Sequence, residues 1–167
     1  QLTTLDVSNN TALGQLVCYE NQLTTLDVSQ NTALVVLECY TNQLTTLDVS
    51  NNTALFRLEC YANQLTSLDV SNNTALGQLD CNYNQLTSLD VSQNTALIRL
   101  SCGANQLNCL NLKNGNNFTL YSSINPNLTC IQVDDVSWAE QNWTFDNNNI
   151  DEGVTFSLDC NYPAGCF

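Results

Sequence analysis

The stretch Leu23 to Gln43, LTTLDVSQNTALVVLECYTNQ, recurs with few changes from Leu2, Leu44, Leu65 and Leu86, at a spacing of 21 residues. A fixed period of this size commits a chain to a solenoid, because one unit cannot bury its apolar face until a neighbour stacks on it. The unit is itself double. Leu23, Leu26, Val28 and Asn31 follow an LxxLxLxxN pattern, and Leu34, Leu37, Cys39 and Asn42 repeat it. Each half has 11 or 10 residues, enough for a short strand and a turn but not for an ordinary helix. The expectation is two short parallel strands per coil.

Strand alternation predicts that each LTTLDV segment turns Leu, Leu and Val inward and Thr and Asp outward. Stacking then builds apolar columns, Leu5, Leu26, Leu47, Leu68 and Leu89 beside Val7, Val28, Val49, Val70 and Val91. The turns fall at two asparagine ladders, Asn10, Asn31, Asn52, Asn73 and Asn94, and Asn21, Asn42, Asn63, Asn84 and Asn105. Inward amides there would satisfy backbone groups that a sharp turn strips from the sheet, and would bond to one another along the stack.

Counting on by 21 places Phe118 at the Leu97 site, Tyr121 at Leu100, Ser123 at Cys102 and Pro126 at Asn105, with Leu128, Ile131 and Val133 on the next strand. This predicts an array over residues 1–133 whose last coil is degenerate, and a capping segment over 134–167, as a stack needs in order to stop growing. In the cap, Asp134 and Asp135 would open a short helix from Val136 to Trp143, and Val154, Phe156, Leu158 and Cys160 alternate as a closing strand. Both tryptophans would seal the last coil. At the other end Leu2 and Leu5 would lie on an open sheet edge, which invites more repeats, a covering partner or self-association.

LxxLxLxxN resembles the leucine-rich repeat, and its nested form NQLTxLDVSxNTAL is similar to the short class found in secreted and cell-surface proteins of Bacteroidetes. The likeness runs from Leu2 to about Val133. It implies a mostly β, right-handed leucine-rich-repeat solenoid with a C-terminal cap, on a secreted or outer-surface protein. The ending NPNLTCIQVDD through NWT to the late cysteines also resembles the cap of those proteins.

The nine cysteines divide by position. Cys18, Cys39, Cys60, Cys81 and Cys102 take the last inward site of the pattern and are expected as buried thiols. Cys109, Cys130, Cys160 and Cys166 allow three pairings. The family resemblance favours Cys130 with Cys160 and so Cys109 with Cys166, while Cys109 and Cys130, also 21 apart, are a rival pair as vertical neighbours. Either arrangement indicates an oxidising compartment.

Sixteen acidic residues face three basic ones, Arg57, Arg99 and Lys113, for a net charge of -13. That balance disfavours nucleic acid and anionic membrane surfaces. No apolar run approaches the roughly 20 residues of a spanning helix, no secretory leader is present, and the chain opens in mid-repeat at Gln1, as a piece of a longer protein would. Histidine is absent, which excludes Ser/His/Asp and Cys/His catalysis. The outward column Asp6, Asp27, Asp48, Asp69 and Asp90 puts carboxylates in like environments, whereas an acid/base pair needs unlike ones. Hydroxyls such as those of Thr25 or Ser67 would hold these aspartates; Asp27, Asp48 and Asp69 leave calcium as the single metal reading. DNNNIDE, residues 146–152, fails as a calcium loop because Ile150 stands where an oxygen ligand is needed. The expectation is a non-enzyme without a cofactor.

The LTTLDVS half barely changes between copies, whereas the outward sites of the LxxLxC half change in every coil. A constant framework beside a varying face is how a repeat scaffold presents a recognition surface. That face is predicted to hold Tyr19, Glu38, Tyr40, Phe56, Arg57, Glu59, Tyr61, Asp80, Tyr83 and Arg99, and exposed Tyr with Arg is the mixture enriched at interfaces. The function expected is an extracellular module that binds a protein or glycan at a cell surface. The rivals are a spacer or adhesin stalk, and an ice- or surface-binding plane on the threonine columns from Thr3 and Thr4.

Overall fold

The computed structural model describes all 167 residues. Ten three-residue strands and one helix follow in order: β1 Gln15–Val17, β2 Val36–Glu38, β3 Arg57–Glu59, β4 Gln78–Asp80, β5 Ser88–Asp90, β6 Arg99–Ser101, β7 Cys109–Asn111, β8 Thr119–Tyr121, β9 Cys130–Gln132, α1 Val136–Asn142 and β10 Thr155–Ser157. They form two parallel sheets, ordered β1-β2-β3-β4-β6-β8 and β10-β9-β7-β5. One cluster of 38 buried apolar residues runs between them along the stack. Leu34, Leu37, Cys39, Leu44 and Val49, with their equivalents in later coils, are fully buried. The architecture is a mostly β parallel solenoid, as the period requires.

The second strand expected in every coil is a ladder strand only from β5 onward. In the earlier coils a backbone bond joins only the start of these segments, as from Gln43 N–H to the Leu23 carbonyl, and a side chain spans the gap further on. Nδ2 of Asn31 donates to the carbonyls of Val7 and Asn10 in the coil before, at 3.0 and 2.8 Å, and Asn52, Asn73 and Asn94 repeat this. Asn114 donates to Asn94 alone, and beside it Val91 N–H bonds directly to the Asn111 carbonyl.

The two asparagine ladders differ. Asn42, Asn63, Asn84 and Asn105 use both ends of the amide: Nδ2 donates to carbonyls of their own and the previous coil, and Oδ1 accepts from Leu23, Leu44, Leu65 and Leu86 N–H respectively. In the other ladder the Oδ1 atoms of Asn31, Asn52, Asn73 and Asn94 are buried without a partner. Neither ladder bonds amide to amide; both bond amide to backbone. Beside the first, Glu20, Thr41, Ala62, Tyr83, Ala104 and Ile124 adopt positive φ, a left-handed turn costing about 1 kcal/mol or more per residue without glycine. The amides of Asn21, Asn42, Asn63, Asn84 and Asn105 brace it by bonding the carbonyl two residues back.

One register expectation fails. β6 pairs Leu100 with Leu120 and Ser101 with Tyr121, an offset of 20, while β7 and β9 keep 21 through Asn111 and Gln132. The turn at Asn114 is one residue short, and Asn125-Pro126-Asn127 restores the count. Leu120, Ser122 and Asn125 therefore occupy the sites of Leu100, Cys102 and Asn105, in place of Tyr121, Ser123 and Pro126. Asn125 confirms its place by donating to Cys102 O and accepting from Leu107 N–H. A slip of one residue turns each strand side chain to the opposite face, so Tyr121 points outward.

Residues beyond Val133 continue both sheets. β10 pairs with β9. Across the last edge of the other sheet, Asn149 O accepts from Ser122 N–H, and the Asp151 carboxylate accepts from Ile124 and Asn125 N–H, each at 2.7 Å. DNNNIDE is thus an edge cover, with Ile150 buried. The helix begins at Asp135, whose side chain accepts from Trp138 N–H, and ends at Trp143. Trp143 packs against Phe118, Trp138 and Phe156, and its Nε1 donates to Phe118 O at 3.2 Å. Leu158, expected inward, is 56% exposed because β10 stops at Ser157. The disulfides are Cys109–Cys166 and Cys130–Cys160, the pairing the resemblance favoured. The Tyr162 hydroxyl sits between β7 and β9, accepting from Leu110 N–H at 3.1 Å within reach of the Leu110 and Cys130 carbonyls.

Replacing Asn52 with Ala deprives Val28 and Asn31 of one bond each, and is expected to lower unfolding stability by about 1–3 kcal/mol. Asn51→Ala, on the exposed neighbour, should stay within about 0.5 kcal/mol. Denaturant titration of the two variants measures the contrast.

Candidate functional surface

The outward side chains of the six-stranded sheet form three columns, set by the pairing register. The first strand position carries Gln15, Val36, Arg57, Gln78, Arg99 and Thr119; the third carries Val17, Glu38, Glu59, Asp80, Ser101 and Tyr121, of which Ser101 is buried. Two residues further on stand Tyr19, Tyr40, Tyr61, Asn82 and Gly103. The sheet therefore gathers Tyr19, Glu38, Tyr40, Arg57, Glu59, Tyr61, Asp80 and Arg99 on one surface.

Two expected members lie elsewhere. Tyr83 occupies the left-handed turn position, where its side chain is 63% exposed and out of line with the tyrosine column; Asn82 takes the column site. Phe56 precedes its strand and its ring lies against Gly77, in the space that a Cβ there would fill. Tyr121 is the member that counting by repeats missed. The signal was present: Leu120-Tyr-Ser-Ser-Ile-Asn125 matches Leu100-Ser-Cys-Gly-Ala-Asn105 once one residue is dropped.

The tyrosines stack along the solenoid axis. Ring centroids are 4.4 Å apart from Tyr19 to Tyr40 and 4.3 Å from Tyr40 to Tyr61, with planes within 9° of parallel. Burial between its neighbours is the main cause raising the Tyr40 phenol above its ordinary value, and burial likewise raises Tyr61. These phenols stay neutral hydrogen-bonding groups. Beside them Arg57 donates from Nε to Glu59 at 2.9 Å and lies 3.7 Å from Glu38. The Arg99 guanidinium sits 5.4 Å from the centre of the Tyr121 ring, a cation–π distance. Asp80 has no ion-pair partner; its carboxylate accepts from Asn82 N–H at 3.1 Å, and burial raises its pKa above the usual carboxylate value. Rigid aromatic rings, paired and unpaired charges and a fixed sheet make a surface suited to binding.

The opposite flank carries the aspartate column. The backbone N–H of Ser8, Ser29, Ser50, Ser71 and Ser92 donates to Asp6, Asp27, Asp48, Asp69 and Asp90 two residues earlier. The hydroxyls of those serines, leading at Asp27 and Asp48, and these backbone bonds, leading at Asp6 and Asp69, hold the four carboxylates below the usual value, in place of the hydroxyls of Thr25 or Ser67. No three metal-ligating side chains converge anywhere in the structure. Inside, Cys18, Cys39, Cys60, Cys81 and Cys102 are free, buried thiols whose pKa burial pushes up, for Cys18 to about 11.

Repeat, parallel solenoid and variable sheet face together define a leucine-rich-repeat scaffold similar to those of bacterial proteins. Neither a protein-family model nor a curated protein matches the chain. Among solved structures, the functional domain of InlJ from Listeria monocytogenes, which includes a cysteine ladder, is 38% identical with a TM-score of 0.56, over 78% of this chain and 36% of that one. A leucine-rich-repeat protein of Leptospira interrogans is 23% identical with a TM-score of 0.62, over 94% of this chain and 40% of that one. The internalin InlF of Listeria monocytogenes is 21% identical with a TM-score of 0.61, over 93% and 50% respectively. The chain thus spans between about a third and a half of the length of these structures.

The internal thiols set an alkaline limit on stability. Their pKa in the folded chain lies above that in the unfolded chain, so stability is complete below about pH 8.5, the ordinary thiol value, and falls as pH rises toward and past 11. The aspartates set an acid limit, since a lowered folded value gives stability above about pH 4 that is lost as pH falls. Melting temperatures across this range should describe a plateau with both edges. Changing Cys39, Cys60 and Cys81 together to Ser or Ala should flatten the alkaline edge.

Proposed function

We propose that this chain is a protein-recognition module of a secreted or surface-exposed protein, and that it binds through the outward face of the six-stranded sheet. The observation that carries the reading is the stacked column Tyr19, Tyr40 and Tyr61 beside Arg57, Glu59, Asp80, Arg99 and Tyr121 on one rigid sheet. Stacked rings have few rotamers left to lose, so they give contact area at low entropic cost, and Tyr and Arg are the residues that most often dominate interfaces. Likeness to internalins supports protein binding as the role of the scaffold. Two disulfides in the terminal segment support an oxidising, extracellular setting. The NQLTxLDVSxNTAL motif supports an origin among Bacteroidetes surface proteins.

The test compares capture of surface proteins by the intact chain and by the Tyr40→Ala, Tyr61→Ala double variant. Affinity for any captured partner is expected to fall at least about tenfold, or about 1.4 kcal/mol, with the melting temperature preserved because both rings lie outside the core. Unchanged affinity would reject this face as the binding surface. A glycan array run in parallel separates a sugar ligand from a protein one.

A further inference from the structure

Large side chains change place between the two halves of the strand face. In the first three coils the column site holds Tyr19, Tyr40 and Tyr61, and the left-handed turn residue after each is Glu20, Thr41 or Ala62. In the next three the column site shrinks to Asn82, Gly103 and Ser123, while two of the turn residues, Tyr83 and Ile124, are large and apolar. The exchange leaves a hollow of about 110 Å³. Buried Gly103 and the half-buried Asn82, Ala104 and Ser123 line it, and around them stand Tyr83, Tyr121 and Ile124, which are 63%, 40% and 62% exposed.

The walls are held in place. Ile124 is β-branched and sits at φ 65°, the least favourable kind of side chain for a left-handed turn, and the Asp151 carboxylate accepts its N–H at 2.7 Å. The cap thus fixes a large apolar side chain outward against local preference, and an outlier of this kind points toward function. The Tyr121 ring is fixed by the Arg99 guanidinium on it.

The backbone groups lining the hollow are already engaged. Gly103 N–H donates to Asn82 Oδ1 at 2.6 Å, the Gly103 carbonyl accepts from Tyr83 N–H at 3.1 Å, and the Ser123 carbonyl accepts from Ala104 N–H at 2.9 Å. No charged side chain lines it. A polar occupant would give up its water without a new backbone partner, whereas an apolar one has no hydrogen bond to lose.

We infer that this hollow receives one aliphatic side chain, leucine or isoleucine, carried on a neutral or basic segment of the protein partner. The assignment rests on the strand face being the binding surface, with which Tyr121 is continuous through the third strand position. Size selects the side chain: the hollow has room for about four water-sized groups at roughly 30 Å³ each, which matches four carbons and not an indole or phenol. Charge selects what carries it. At a net charge of -13 this chain repels a second copy of itself and an anionic lipid surface, but not a neutral or basic segment.

The intact chain, isotope-labelled for NMR, is titrated with Ac-Gly-Leu-Gly-amide up to about 20 mM, the range in which one buried side chain registers, and with its asparagine and glutamate counterparts. Shift changes with the leucine peptide should concentrate at Tyr83, Ala104, Tyr121 and Ile124. Ile124→Asn and Tyr83→Asn should each weaken the response at least about fivefold. Neither should lower the melting temperature, because asparagine accepts a left-handed turn more readily than the residue it replaces. Thr41→Asn, at the equivalent turn of an earlier coil, should leave the response unchanged. No response to the leucine peptide, an equal response to the asparagine or glutamate peptide, or an undiminished response in both variants would overturn the inference, as would a dimer in sedimentation that Ile124→Asn dissolves. Partner capture lost in the double tyrosine variant but fully retained in Ile124→Asn would leave the binding face standing and remove the aliphatic anchor. Capture lost in Ile124→Asn and retained in the double tyrosine variant would keep the anchor and move the contact area to the C-terminal end of the face.

Discussion

A single coil of this chain has no interior, and the structure depends on the bonds each coil makes with the next. Along one sheet those bonds are backbone rungs; along the other flank they are mostly asparagine amides reaching from one coil to carbonyls of the last. The apolar columns are then buried as a consequence of stacking. Buried amides explain how a chain with only 11% charged residues keeps a solved backbone inside a narrow core. Four of them leave Oδ1 without a partner, a desolvation cost accepted in exchange for two carbonyl bonds each.

Stacking also accounts for the proposed binding surface. A repeat that keeps its inward residues constant holds its outward ones at fixed spacing, so tyrosines at equivalent sites become a stack with no further design. The same regularity forces Glu38, Glu59 and Asp80 into neighbouring positions. Arg57 relieves two of them, and the third accepts from Asn82 N–H with Arg99 nearby. On the opposite flank equally regular aspartates are absorbed by local turns, so their repetition carries no comparable binding geometry.

Termination needs different residues, because the last coil has no successor to satisfy it. Asn149 and Asp151 cover one sheet edge, β10 covers the other, and two disulfides tie the final segment down. Trp143 fills the end of the core against Phe118. None of these contacts is periodic, which is why they were only partly readable: the helix and its Asp135 cap were legible from local pattern, whereas Asp151 reaching Ile124 and Asn125 was not.

The period, the inward columns, the burial of Cys18 to Cys102 and most of the variable face followed from the sequence by itself, since a strict repeat makes every residue's neighbour its own counterpart one coil away. Only the tertiary structure decided where that arithmetic broke. A turn shortened at Asn114 and lengthened at Pro126 moved Tyr121 from the expected core to the surface beside Arg99, because strand side chains alternate and a shift of one residue exchanges inside for outside. It likewise decided that Tyr83, expected on the variable face, sits in the left-handed turn beside the sheet. Local pattern reports which residues alternate; the packing of adjacent coils selects the register in which they do so.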